Sequence, residues 1–414
     1  MKRIAICLIS SCFLASCSTP VTISSSNPVT ISSSNPTSIS AEKDISITIS
    51  VADEAEHRLA ETMVSNFIAS KNYGFEVEVQ FWPAYADAHG KSAFDEADIL
   101  YSNVESISAN IGAGVEFEPI DAKAYQDTEF YADSEFKEDG TYFCYPFSVV
   151  PYELVYYDKS VFAEEDLLTW DAVLAKAAAM NRIVSWDTES IFAKTAFFYG
   201  AGATTEFTYG KEYKVAAVDD AYASNGLPAA KAMSRMYANE CLSPKPFGPS
   251  DGVVPALSQG GIWNLDAAKT LYGDNLGIAP FPGYLHNGGI IPCKAALVAQ
   301  GLVVKATEDA QKKMVANDLA RLLSSAETQK AYAEGKAEVM PAMKDVIGEG
   351  AMDELHRAMA AQTNQGFALS NEYDWLYTYL PELEGNIRST AGEATDQVLQ
   401  GYLDDYHQKV IAVK

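Results

Sequence analysis

Histidine is scarce in this chain, with five among 414 residues, at positions 57, 89, 286, 356 and 407. They are scattered, and neither His nor Cys clusters at the spacing of a metal-ligand set, so no metal site is expected. Basic residues are also few: 30 Lys and Arg stand against 56 Asp and Glu, a formal charge of −26. So acidic a surface repels phosphate backbones and anionic membranes, which excludes nucleic-acid binding as the main task. There is no G-x-S-x-G elbow, no H-E-x-x-H and no P-loop, and Gly200-Ala-Gly202 lacks the rest of a dinucleotide fingerprint. Carboxylates scattered along a sequence make no glycosidase pair without geometry. The expectation is a non-enzyme with no cofactor. What the chain does have is a globular composition, 48 % hydrophobic and 21 % charged, on a length that suits two or three domains.

The N-terminus carries an address. Lys2 and Arg3 precede a mostly apolar stretch from Ile4 to Ala15, which ends in Leu14-Ala15-Ser16-Cys17. The stretch is too short for a membrane span, which needs about twenty residues, and right for a secretory signal core. Its end resembles the lipobox of bacterial lipoproteins. That resemblance implies a signal peptide over residues 1–16, cleavage before Cys17, and lipid on Cys17 that holds the protein on the outer face of the cell membrane. Residues 17–43 read as the tether. Val21 to Pro28 recurs unchanged as Val29 to Pro36, and no aromatic or charged residue occurs from Ser18 to Ala41. Such a segment buries too little apolar surface to offset its ordering entropy, and its reach is roughly 25–30 Å. With Cys7 and Cys12 removed and Cys17 acylated, Cys144, Cys241 and Cys293 remain. An odd count is a poor disulfide framework; one bridge plus a free thiol stays open, beside three small buried hydrophobes.

From Asp44 the pattern is that of an α/β body. Ile45, Ile47, Ile49 and Val51 alternate with Ser and Thr as a strand does, and Leu59, Met63, Val64 and Phe67 then recur at helical spacing. Phe75 to Phe81 and Ile99 to Tyr101 read as further strands of a mostly parallel sheet. Later helices are expected over Trp170–Met180 with Thr169 as N-cap, over Pro228–Asn239, over Glu308–Ser325 and Ala326–Glu334 with Gly335 ending the second, and over Ser389–Val410. Leu297–Lys305 reads as a strand.

Several stretches, in this order, resemble the maltose/maltodextrin-binding solute receptors of ABC importers. They are Ile45–Val51 running into Asp53-Glu54, Ala97 to Tyr101, Gly114 to Asp121, Tyr142 to Phe162, Thr169-Trp170, Ala256 to Trp263, Leu276 to Pro282, and Ala316 to Pro341. Each is short, and their collinear order carries the match. The resemblance implies the two-lobed periplasmic-binding-protein fold of type II, with a ligand cleft between lobes and a hinge of three crossings near Val149–Tyr152, Ile278–Pro282 and Val339–Pro341. It places the N-terminal lobe at 44–150 plus 282–338 and the C-terminal lobe at 151–281 plus 339–414. It implies a monomer that captures an oligosaccharide-type solute and hands it to membrane permease subunits.

The candidate ligand residues follow from the same alignment. Trp263 falls on the family's stacking Trp, with a core position as the lesser alternative because only part of the Gly-Pro-Trp context is present. Asp53 matches an acidic ligand residue or is a helix N-cap, and Glu54 stands where maltose binders often have Lys. Tyr101, Asn103 and Glu105 occupy the loop that normally offers a stacking Trp and an Asp, with Ser102 at the Trp position. Val150 replaces the first-crossing Glu. Tyr199, in a Gly-rich loop, and Tyr377, beside Trp375 and Tyr379, match further aromatic positions. These departures keep other ligands open on the same fold: a polyamine or other cation, ferric iron (Tyr156-Tyr157 being the adjacent pair), or a small peptide.

Overall fold

The computed structural model describes residues 44–51, 54–83, 96–112, 114–138, 140–209, 215–245, 247–249, 252–336, 339–368 and 373–413. The expected signal peptide, Cys17 and the expected tether, together with Asp53, lie outside the described residues. The described residues divide into two compact units, one drawn from 44–124, 138–147 and 300–335, the other from 125–137, 148–299 and 336–413.

In the first unit, strand Ile45–Val51 is central. It pairs in parallel with Val77–Pro83 from Ile45↔Val77 to Val51↔Pro83, and with Ile99–Asn103 through Ile49↔Ile99. Residues 300–304 of strand Ala296–Val304 then add antiparallel to Ile99–Asn103. The expected alternation is realised, since Ile45, Ile47, Ile49 and Val51 are all buried. Helix Glu54–Ser70 covers the sheet with Ala60, Val64 and Ile68, four residues apart and all buried. Helices Ala310–Leu323 and Ala326–Gly335 pack alongside it. The first of these is capped by Asp309, whose carboxylate accepts from the Gln311 and Lys312 amides at 3.1 Å.

The sheet of the second unit is mixed. Leu257–Gly260 lies between Val184–Ser185, parallel to it, and Leu154–Asp158, antiparallel to it. Leu276–Ala279 extends one side antiparallel and Leu242–Ser243 the other in parallel. Helix Trp170–Ala179 starts where Thr169 Oγ1 accepts from the Ala172 amide at 3.1 Å. Its first residue enters a core of aromatic edges on faces: Trp170 meets Trp186 at 5.3 Å and 89°, and Phe281 at 5.2 Å and 70°. Phe197 meets Trp186 at 5.8 Å and 85°. Cys144, Cys241 and Cys293 are free thiols.

The C-terminal helix begins later than its periodicity predicts. Helix Tyr373–Ser389 ends where the expected one would begin, Gly392 takes a left-handed φ of 78°, and Thr395 caps a separate helix, Asp396–Ile411. Apolar spacing continues through the break because both helices bury their faces in the same core, which hides the turn from a periodicity reading.

Lys194 and Glu384 form an ion pair of 3.7 Å inside this core, each 2 % exposed. Burial pushes the Lys194 ammonium down, while the carboxylate of Glu384 holds it up. Removing Lys194 leaves Glu384 facing only Arg388, 3.5 Å away on a partly exposed side chain, so the buried carboxylate is under-compensated at a cost of about 3 kcal/mol. Lys194→Met should therefore lower the urea midpoint by a corresponding amount. Adding Glu384→Leu to that variant should recover most of the loss, because a matched apolar pair has no charge to desolvate.

Candidate functional site

Three segments of the second unit bring aromatic rings together. Tyr152 follows Pro151 at the end of strand Tyr145–Pro151. Phe192 lies in the first turn of helix Ile191–Gly200, which Ser190 caps by accepting the Ala193 amide at 3.3 Å. Trp263 sits in the short turn Ile262–Asn264 after strand Leu257–Gly260. Tyr152 stacks on Phe192 at 4.0 Å and 7°, and Trp263 meets Tyr152 edge-on at 6.0 Å and 69°. The indole is 49 % exposed, the largest open apolar surface of the three rings.

The Trp263 turn is held at its base. The Gly261 amide donates to Asn264 Oδ1 at 3.1 Å, and the Gly261 carbonyl accepts from the Tyr156 hydroxyl at 2.9 Å. The indole folds back so closely that a Cβ on Gly261 would lie 2.3 Å from its ring carbons. Only glycine leaves room for that rotamer.

A buried polar network joins the segments that carry the three rings. Glu153, 1 % exposed, accepts from Ser190 Oγ at 2.6 Å and from Gln259 Nε2. Gln259 Oε1 in turn accepts from the Asp187 amide at 2.9 Å. Burial pushes the Glu153 carboxyl up to about 7, against the two hydrogen bonds, and the nearby Asp187 carboxylate adds to the rise.

The first unit supplies a second polar group at the end of strand Ile99–Asn103. The Asn103 Oδ1 is buried with no hydrogen-bond partner among the described residues. Glu105 stands two residues on, in the first turn of helix Val104–Gly112, and burial pushes its carboxyl up to about 8, its own backbone amide opposing. That shift favours the protonated form, an uncharged donor and acceptor. Tyr101 turns inward instead. It is 4 % exposed, meets Phe147 edge-on at 4.9 Å and 85°, and donates to Gln300 Oε1 at 2.8 Å. Ser102, at the family's Trp position, is fully buried.

The other candidates are dispersed. Glu54 is exposed and accepts from Arg58 Nη1 at 3.1 Å. Tyr199 lies at the far end of the helix that begins beside Phe192, stacked on Phe367 at 3.8 Å and 27°. Tyr377 lies on helix Tyr373–Ser389. Tyr152, Phe192, Glu153, Ser190 and Gln259 escaped the sequence reading. The only local signals are the Pro151-Tyr152 step at a crossing and a Ser cap ahead of Phe192; their convergence is tertiary.

Residues 62–363 match the family described as bacterial extracellular solute-binding protein. The chain belongs to this family. It is a family of binding proteins, not of catalysts. Among solved structures, the maltodextrin-binding protein MalE1 from L. casei BL23, without ligand, is 18 % identical, covering 89 % of this chain and 99 % of that one with a TM-score of 0.72. A cyclo/maltodextrin-binding protein complexed with maltotetraose is 16 % identical, with 91 % and 100 % covered and a TM-score of 0.69. The maltose-binding periplasmic protein MalE of Listeria monocytogenes in complex with maltose is 17 % identical, with 89 % and 97 % covered and a TM-score of 0.67. At these identities the likeness shows the fold, α/β with helices on mixed sheets. No curated protein matches the sequence. Among the described residues no helix is long and apolar enough to cross a membrane, and no three His, Cys, Asp or Glu side chains group to hold a metal ion.

The Gly261 contact yields a direct test. Gly261→Ala should push the indole off its seat with little change in melting temperature, since the ring is half exposed. Acrylamide quenching of the Trp263 fluorescence, isolated by subtraction of a Trp263→Phe protein, should change between parent and variant.

Proposed function

We propose that this protein is the capturing receptor of an ABC importer, and that it takes an uncharged oligosaccharide on the face built by Trp263, Tyr152 and Phe192. The observation that carries the reading is the half-exposed indole set against a pair of stacked rings, on segments joined by a buried polar network. A pyranose offers an apolar face and a rim of hydroxyls, and such a ligand is held by an aromatic surface flanked by a few fixed polar groups. Family membership supports the receptor role, and the fold shared with structures holding maltotetraose and maltose supports the choice of a glucan. The protein acts by binding alone and works as a monomer with membrane permease subunits. Its anchor is lipid on Cys17, at the end of a tether reaching roughly 25–30 Å.

Maltotetraose is the first probe. A ligand that binds only the folded state raises its melting temperature, so maltotetraose should do so in the parent protein. A desolvated aromatic contact is worth roughly 2 kcal/mol on truncation, about thirtyfold in affinity. Trp263→Ala should lose that factor in calorimetric titration while keeping its ligand-free melting temperature. If neutral oligosaccharides leave the parent unchanged while spermidine, ferric iron or a small peptide raises its melting temperature, the carbohydrate reading is wrong.

The anchor has its own test. Cys17→Ser, expressed in a bacterial host, should move the protein from the membrane pellet to the soluble extracytoplasmic fraction. Retention in the pellet would remove the lipid anchor from the proposal.

A further inference from the structure

Each ring of the aromatic face is a close chain neighbour of one member of the buried network. Tyr152 adjoins Glu153, Phe192 lies two residues after Ser190, and Trp263 lies four after Gln259. Glu153 is the member that both others touch, through its two carboxyl oxygens. We propose that Glu153 is the positioning residue of this face, and that it clamps Ser190 and Gln259 and so fixes the three segments that carry the rings. The proposal rests on the solute-binding reading of that face.

The neutral acid can hold every contact. Its hydroxyl donates to Ser190 Oγ across the observed 2.6 Å, Ser190 still accepts the Ala193 amide, and Gln259 still donates to the second oxygen. An ionised Glu153 keeps both hydrogen bonds as an acceptor, but among the described residues it meets no cation. The charged group facing it is Asp187, of like sign. Lys194, one turn along the helix from Ser190, is engaged by Glu384 at 3.7 Å, and Glu189 is exposed. A buried unpaired charge draws in water or opens its surroundings, and what opens here is the junction of the segments that carry the rings. The carboxyl is pushed up to about 7, so this change falls within the range of ordinary surroundings. Because the folded protein holds the proton more tightly than the unfolded chain, the network's stability is full below about pH 4.5. It is lost as pH rises to about 7 and does not change further above that.

If only the protonated form presents the face, the competent fraction falls from about nine-tenths at pH 6 to about one-thirtieth at pH 8.5, and affinity falls about thirtyfold. Calorimetric titration of maltotetraose into the whole protein should show this fall with a midpoint near pH 7. Glu153→Gln, which reproduces the neutral acid with its amide donating to Ser190, should flatten the profile. Glu153→Leu, which can hold neither partner, should weaken binding at every pH. Near-ultraviolet circular dichroism of the ligand-free protein reads the ring cluster without any solute. It should change near pH 7 in the parent and not in Glu153→Gln. A flat parent signal, or a Glu153→Gln protein that keeps the parent's pH response, overturns the proposal. A dichroism transition present in the parent, lost in Glu153→Gln, and accompanied by no maltotetraose binding at any pH would leave the positioning role standing and sink the solute reading instead. Should Glu153→Gln fail to fold, the parent's own titration decides, and a parent dichroism without a transition near pH 7 refutes the role.

Discussion

A carboxyl that is 1 % exposed must find its partners inside the protein, and Glu153 finds them on segments far apart in the chain. That requirement organises much of the second unit. Ser190 both satisfies Glu153 and caps helix Ile191–Gly200, so the helix start is fixed at the place where Phe192 meets Tyr152. The same helix carries Phe197 into the Trp170–Trp186–Phe281 cluster and Lys194 into its pair with Glu384. The surface rings are thereby coupled to the densest part of the core through a single rigid element. Gln259, on a central strand, passes the constraint to Gly261 and the Trp263 turn.

Charge shows a contrast between the whole and its sites. The chain carries a formal −26, yet the two carboxyls that matter at the candidate groups, Glu105 and Glu153, are both raised by burial, to about 8 and about 7. The acidity is on the outside, where water screens it. At the groups themselves burial favours the protonated, uncharged form of both carboxyls. That suits a neutral polyhydroxylated solute better than a polyamine or a ferric ion, for which ionised carboxylates would be the natural partners.

The fold was far more legible in the sequence than the site. Period-two burial wrote Ile45–Val51 into the sequence as a strand, and the caps at Thr169 and the stop at Gly335 marked helix ends, because these signals are local and depend on burial or backbone geometry alone. The tail misled for the converse reason: the apolar spacing runs through Gly392 and Thr395, and only their special backbone roles mark the break. For the candidate groups, alignment pointed to Trp263 in the second unit and to the Asn103–Glu105 segment in the first. It had no means of finding Tyr152, Phe192 or Glu153, since a ring stack or a shared carboxyl is a property of three segments at once. Tyr101 shows the reverse limit. An aromatic at the end of a buried strand reads the same whether it faces ligand or, as here, closes on Phe147 and Gln300.

Preorganisation explains why a face of this kind is worth building from buried parts. Two rings already stacked at 4.0 Å and 7° have lost their rotamer freedom before any ligand arrives. An indole confined by Gly261 and Asn264 has lost most of its own. Ordering a mobile side chain at a binding surface costs about 0.5–1.5 kcal/mol each. For three rings that sum is comparable to the stacking energy a sugar could return, so a loose face would gain almost nothing from its aromatics. Placing the ordering cost in the folding of the unit, where Glu153, Ser190 and Gln259 meet it with hydrogen bonds, leaves the contact energy available to the solute. On this argument the ring positions and the buried acid form a single device, and the rings would lose much of their value without the network that fixes them.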